Sequence, residues 1–234
     1  MYKIALMAND LKKFVKMLME VGNDARLEIT KENIHSRIID EASVAVMDVT
    51  INKTAFIEYE CGDGALLGVD LVKLNEIIGS AGKLSEVTLD QLDGRIQISF
   101  DGMTFELPLL DVNGIRTCRI PTIPFTVTFD IDTEFVRSAL KGIKIVGGEV
   151  VIETENDTVT FKAKSELGHS FKFPVNVGGN FNKTASMYAE SYIRTLSLFE
   201  GEVEISYGAD LPMIVKMINE NMAVWYMMAP KLMN

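Results

Sequence analysis

Residues 85–111 read SEVTLDQLDGRIQISFDGMTFELPLLD, and residues 201–231 read GEVEISYGADLPMIVKMINENMAVWYMMAPK. Each stretch opens on a Glu-Val strand, turns, runs a second strand, turns again and closes on an apolar strand. Alternation of apolar and polar residues marks half-buried strands, and the Gly, Asp and Asn between them mark hairpin turns. Upstream of each stretch the order is also shared: strand, helix, several strands, helix. Residues 1–111 and 125–234 therefore read as two copies of one β-α-β unit. Helices are expected near residues 9–21, 70–81, 132–145 and 188–199.

Between the copies lies VNGIRTCRIPTIP, residues 112–124, whose Gly and two prolines mark an extended connector. It nevertheless carries Ile115, Cys118, Ile120 and Ile123, which a purely solvated linker would not need. The chain's last apolar run, Val224 to Ala229, reads as a buried strand stopped by Pro230. It is either the final core strand or a strand that brings apolar side chains to a docking surface.

The chain has 234 residues, 47% of them hydrophobic, enough for one large core or two ordinary ones. No apolar run approaches the roughly 18–20 residues of a membrane span, and MYKIALMAND at the start lacks the features of a signal peptide. Cys61 and Cys118 belong to no CxxC pair, which fits a reducing cytoplasm while leaving a disulfide between them open. With 33 acidic and 23 basic residues the net charge is −10, which argues against binding polyanions over the whole surface but permits a local basic patch.

Such patches sit on two helices. In LKKFVKMLM, Leu11, Phe14, Val15 and Leu18 fall within about 100° of one another, with Lys12, Lys13 and Lys16 opposite. In FVRSALKGIKIV, Phe135, Val136, Ala139, Leu140 and Ile143 share one face, with Arg137, Lys141 and Lys144 on the other. A single lysine stripe usually means a solvated helix face. Matching stripes on the equivalent helix of both repeats, in an acidic chain, point to a surface that faces a polyanion. Without aromatic interleaving or a base-reading motif, contact would be to phosphate.

Catalytic candidates are few. His35 and His169 lie in separate halves, neither in HExxH, and no GxSxG or GxxxxGK[ST] occurs. CGDGALLG and IVGGEV are read as turns, and Asp40 beside Glu41 as a turn or cap residue rather than an acid–base pair. No enzyme activity, metal or cofactor is expected.

Four passages resemble, in order, the proliferating-cell-nuclear-antigen family of DNA sliding clamps of archaea and eukaryotes. They are LKKFVKMLMEVGNDARLEIT, IHSRIIDEASVAVMDVTI, LGVDLVKLNEIIGSAG and the closing YGADLPMIVKMINENMAVWYMMAPKL. The resemblance implies an α+β chain of two repeated clamp domains, with helices on one face of antiparallel sheets, closing as a homotrimeric ring around duplex DNA. It implies a non-catalytic processivity factor, cytoplasmic and nucleoid-associated, or nuclear in a eukaryote, opened by a clamp loader and tethering DNA polymerase and repair factors. DNA-facing residues would be Lys12, Lys13, Lys16, Lys73, Lys83, Arg137, Lys141, Lys144 and Arg194. Clients bearing the PCNA-interacting-peptide (PIP) box, one aliphatic and two aromatic plugs, would enter an apolar pocket. Its walls would be Ile39, Val44 and Val46; Cys118, Ile120, Pro121 and Phe125; and Leu211, Pro212, Met227, Met228, Ala229 and Pro230. Subunits would join through Phe105, Leu107, Pro108 and Leu109 on one edge and Ser170, Phe171, Phe173 and Pro174 on the other.

Two departures from the family pattern carry expectations. Glu76 and Gly79 stand where the second helix usually has channel lysines, so a shallower salt dependence of DNA binding is expected. Pro108 and Pro174 fall on the edge strands, which leaves open a weak ring or one completed by a related subunit. A heteromeric clamp subunit, or a two-domain α/β enzyme or ligand-binding protein, are the alternatives.

Overall fold

The computed structural model describes residues 2–232, which divide into two units, residues 2–119 with 218–224, and residues 120–217 with 225–232. In the first unit, β1 (Tyr2–Met7) leads into α1 (Ala8–Met19), followed by β2 (Asp24–Ile29), β3 (Asn33–Ile39), β4 (Ala45–Asn52), β5 (Phe56–Cys61) and β6 (Ala65–Asp70). Then come α2 (Leu71–Gly79), β7 (Glu86–Leu92), β8 (Arg95–Phe100) and β9 (Met103–Pro108). One antiparallel sheet has the order β5-β1-β7-β8-β9, and β4-β3-β2-β6 run side by side in another. The apolar stripe of α1 is buried, with Phe14, Val15 and Leu18 at most 1% exposed, and it packs against α2.

The second unit repeats the plan with β10 (Val127–Asp132), α3 (Thr133–Val146), β11 (Glu149–Lys164) and β12 (Ser170–Tyr188). It continues through α4 (Glu190–Ile193), a 3₁₀ turn (Arg194–Leu198), β13 (Glu202–Tyr207), β14 (Met213–Ile218) and β15 (Met222–Met228). Strands β10-β13-β14-β15 are neighbours, and β11 and β12 form a two-stranded ribbon. EVVIET (residues 149–154) and TVTFKAK (residues 158–164) are continuous as β11, with the register shifting around Asn156, which takes the left-handed conformation at φ 55°. Gly142 lets α3 sit on this ribbon: an added Cβ would lie 2.1 Å from the Phe171 ring. In the same unit the wholly buried Tyr207 donates to Thr184 O at 3.1 Å and is hydrogen-bonded to the Thr154 hydroxyl at 2.9 Å. Burial pushes its pKa up to about 12.

Two expectations change. The helix expected over 188–199 is a single α-turn continued as 3₁₀, because Ile193, Leu196 and Phe199 are all buried at three-residue spacing, the period of a 3₁₀ helix. Residues 218–224 belong with the first unit rather than with the second repeat. Asn52 N donates to Asn221 O at 2.8 Å, and Asn52 Nδ2 and Thr54 Oγ1 donate to Glu220 O at 3.1 and 2.8 Å. The chain also divides at residue 119, inside the stretch read as connector.

Candidate nucleic-acid and client surfaces

The basic residues sort by what already holds them. On α1, Lys12 Nζ donates to Ala81 O at 2.6 Å and Gly79 O at 3.3 Å. It caps the C-terminal end of α2, where a cation is favoured by the helix dipole. Lys73 pairs with Glu76 on the same helix, whose start is capped by Asp70 accepting from Lys73 N at 2.9 Å. Arg137 on α3 pairs with Glu134 at 2.7 Å and donates to Phe199 O at 2.6 Å, tying α3 to the end of the 3₁₀ turn. These three cations serve the fold first. Lys13 is half-buried, while Lys16 and Lys83 are exposed and, among the described residues, unpaired.

In the second unit Lys141, Lys144 and Arg194 are exposed and likewise unpaired. They ring a cavity of about 360 Å³ between α3 and the α4–3₁₀ segment, floored by Leu140 and Ile143 and including one carboxylate, Glu190. The apolar face of α3 holds as expected at Val136, Ala139 and Ile143, but Phe135 stays 48% exposed in the first turn. A cluster of unpaired ammonium and guanidinium groups on helices suits phosphate oxygens and carries no base-reading geometry.

The connector is fastened to the first unit. Arg116 donates to Glu41 O at 3.2 Å, to Asp40 O at 3.5 Å and to Ser43 Oγ at 3.0 Å, gripping the β3–β4 turn. Asp40 shapes that turn by accepting from Val44 N at 2.7 Å and Ala45 N at 2.9 Å. Arg37 reaches Cys118 O at 3.4 Å while its Nε sits on Asp48, which His35 Nε2 also meets at 3.1 Å. The Asp48 hydrogen bond holds His35 above its ordinary pKa. Burial alone would raise Asp48, but His35 and Arg37 together hold it below the usual carboxylate value. Neither Arg37, Arg116 nor Asp48 was singled out from the sequence. The available signal was Asp48 itself, an acid inside the apolar run VAVMDVTI, because a buried carboxylate requires partners.

Of the expected pocket walls, Ile39, Val44 and Cys118 in the first unit are half-buried. In the second unit so are Ile120, Phe125, Leu211, Pro212, Met227, Ala229 and Pro230, and Pro121 is exposed. Val46 (3% exposed) and Met228 (0%) are corrections: both side chains are buried. Strand β15 alternates accordingly, with Met222, Val224, Tyr226 and Met228 inward and Trp225 outward beneath Lys216, whose Nζ lies 4.9 Å from the ring centre. Cys61 and Cys118 are both free thiols.

Both expected joining strands are open edges among the described residues: β9 ends its sheet, and the ribbon leaves β12 unpaired on one side over Ser170–Pro174. Leu109 N donates to Gly94 O at 3.0 Å, which puts Phe105 and Leu107 in hydrogen-bonded pairs with β8 and turns the backbone polar groups of Thr104, Glu106 and Pro108 outward. Likewise Ser165 N donates to His169 O at 2.9 Å, which turns those of Ser170, Lys172 and Pro174 outward from β12. Neither proline breaks its own ladder; each removes a donor from the open edge. Leu107 is a further correction, 3% exposed and part of its own core. Leu109 spends its N–H internally, Phe105 stacks on Phe100 at 5.6 Å, and Phe171 stacks on Phe173 at 6.3 Å against α3.

Residues 1–106 match the family described as proliferating cell nuclear antigen, N-terminal domain. The chain is 25% identical over 243 residues to the DNA polymerase sliding clamp of Methanothrix thermoacetophila, covering 99% of both. Its fold is similar to that of A. fulgidus PCNA in a complex with the C-terminal region of FEN-1, with a TM-score of 0.91, 21% identity and all of both chains covered. It is also similar to a chain of the PCNA2–PCNA3 complex of Sulfolobus tokodaii, with a TM-score of 0.87, 20% identity and 98% and 99% covered.

Proposed function

We propose that the chain works as a DNA sliding clamp of the proliferating-cell-nuclear-antigen family, closing with two further copies into a ring around duplex DNA. The observation that carries this reading is the repeated helix-on-sheet unit with unpaired cations on its helices, in a chain of net charge −10. Weak, sequence-independent attraction to phosphates lets such a ring slide, and the acidic remainder discourages DNA from wrapping outside. The ring performs no chemistry. It holds polymerase and other clients at the template, where tethering raises their effective concentration, and it works where the chromosomal DNA is.

Clients would dock through a PIP-box segment on half-buried residues of the β3–β4 turn and of the adjoining connector at Cys118. Arg37 and Arg116 support this reading by holding the connector in place. A closed ring needs a loader to open it. One observation favours a second reading, a ring completed by a related subunit: both open edges carry a proline where a neighbour would look for a donor. Light scattering across a dilution series tests the two. A mass near three times 26.0 kDa supports the homotrimer; a persistent monomer supports the heteromeric ring.

A further inference from the structure

On β11 and β12, Lys162 and Lys172 stand directly opposite each other in a non-hydrogen-bonded pair, where side chains approach most closely. Like charges so placed oppose pairing. Lys162 is compensated by Glu153 at 2.7 Å. Lys172 is exposed and its side chain makes no hydrogen bond or close ion pair among the described residues. Glu153 is already held below its usual pKa, first by the Lys162 hydrogen bond and further by Lys183 and Lys172, so the patch is basic overall. On the other open edge, Glu106 is exposed and held by Arg95 at 2.7 Å, with Asp93 and Asp101 exposed nearby in the same sheet's turns.

We propose that Lys172 of one copy and Glu106 of the next form the central ion pair of a head-to-tail antiparallel ladder between copies, an inference that rests on the ring reading above. Backbone parity selects this register. Setting Glu106 opposite Lys172 puts Thr104 opposite Pro174 and Pro108 opposite Ser170. Glu106 and Lys172 then exchange both of their hydrogen bonds at the centre. Each proline falls at an end of the ladder, where its carbonyl still accepts from Thr104 or Ser170. The prolines thus delimit the ladder instead of interrupting it. Sliding one strand by two residues in the direction that sets Pro108 opposite Lys172 brings both prolines against central donors. Sliding it in the other direction keeps four strand bonds but sets Lys172 against Thr104, leaving the Lys162–Lys172 repulsion unrelieved. In the selected register Arg95, Glu106 and Lys172 share one surface, on the side facing away from Phe105 and Leu107 and from Phe171 and Phe173.

The test uses the full chain and three variants, Glu106→Lys, Lys172→Glu and the double swap, followed by light scattering over a dilution series with thermal melts to confirm folding. Each single variant should raise the concentration for half-assembly by about tenfold or more, because like charges then face each other at every joint. The double swap should restore assembly to near the wild-type concentration, since the pair is re-formed with its signs exchanged. Wild-type trimers whose single variants assemble normally, or whose double swap is as weak as both singles combined, would overturn the proposed pair while leaving the ring intact. A wild-type chain that never assembles would overturn the homotrimeric ring itself and the pair with it. Should a single variant fail to fold, Lys172→Gln with a salt series on the wild type replaces it: assembly weakened by both supports the pair, and insensitivity to both overturns it.

Discussion

Replacing Lys141 and Lys144 together by alanine should flatten the salt dependence of DNA binding, whereas replacing Lys73 should not. The reason lies in what each ammonium already touches. Lys73 is paired with Glu76 and Lys12 is held by the carbonyls that end α2, so neither ammonium is free to turn to a phosphate. Lys141, Lys144 and Arg194 have no partner among the described residues and edge a single cavity. Each phosphate contact adds about 0.9 to the slope of log affinity against log salt, so losing two per contacting subunit lowers it by about 1.8. Between about 50 and about 200 mM salt, the affinity ratio should then shrink by roughly 12-fold. Fluorescence anisotropy of a labelled duplex over a salt series reads this directly, and the wild-type slope should be shallower than that of a fully lysine-lined ring. If Lys73→Ala lowers the slope as much as the double variant, the division between fold-serving and DNA-facing cations is wrong.

Ile120→Glu should abolish binding of a peptide with one aliphatic and two aromatic plugs while leaving the melting temperature unchanged; calorimetry showing intact affinity would remove Ile120 from the client surface. Tyr207→Phe should cost about 2 kcal/mol in urea unfolding, because it leaves the buried Thr154 hydroxyl without its partner. His35→Gln should change the pH profile of stability in a defined window. A histidine whose folded pKa lies above its ordinary 6.5 adds stability that is complete below that value and is lost as pH rises through the folded pKa. The wild type should therefore gain melting temperature as pH falls from the alkaline side through that range, and the variant should not. The opposing loss, as pH drops through the lowered pKa of Asp48, should appear in acid in both proteins.

Much of the framework was legible from one strand of residues at a time. The periods of α1, α2 and α3 and the alternation of the closing strands depend on each segment's own pattern, so two repeated units and two basic helices could be read directly. The fourth helix could not. Whether Ile193, Leu196 and Phe199 sit at α or 3₁₀ spacing depends on a core to which all three must point. Nor is the length of β11 legible locally, since Asn156 and Asp157 have the residue types of a turn and the ribbon absorbs them as a local irregularity.

For the candidate sites the division is sharper. Residue types and helical spacing by themselves determined that a basic stripe exists on α1 and α3, and that the connector is apolar. They could not say that Lys12 caps another helix, that Arg137 holds the 3₁₀ turn, or that Val46, Leu107 and Met228 are spent in cores. Nor could they say that Arg37, and Arg116 from within the connector, tie the connector to segments about 80 residues away. Local pattern is set by neighbours one turn or one pleat apart, which the sequence lists in order. Which charge is already satisfied is set by groups brought together only when distant segments fold against each other, and that is the part the tertiary structure alone decided.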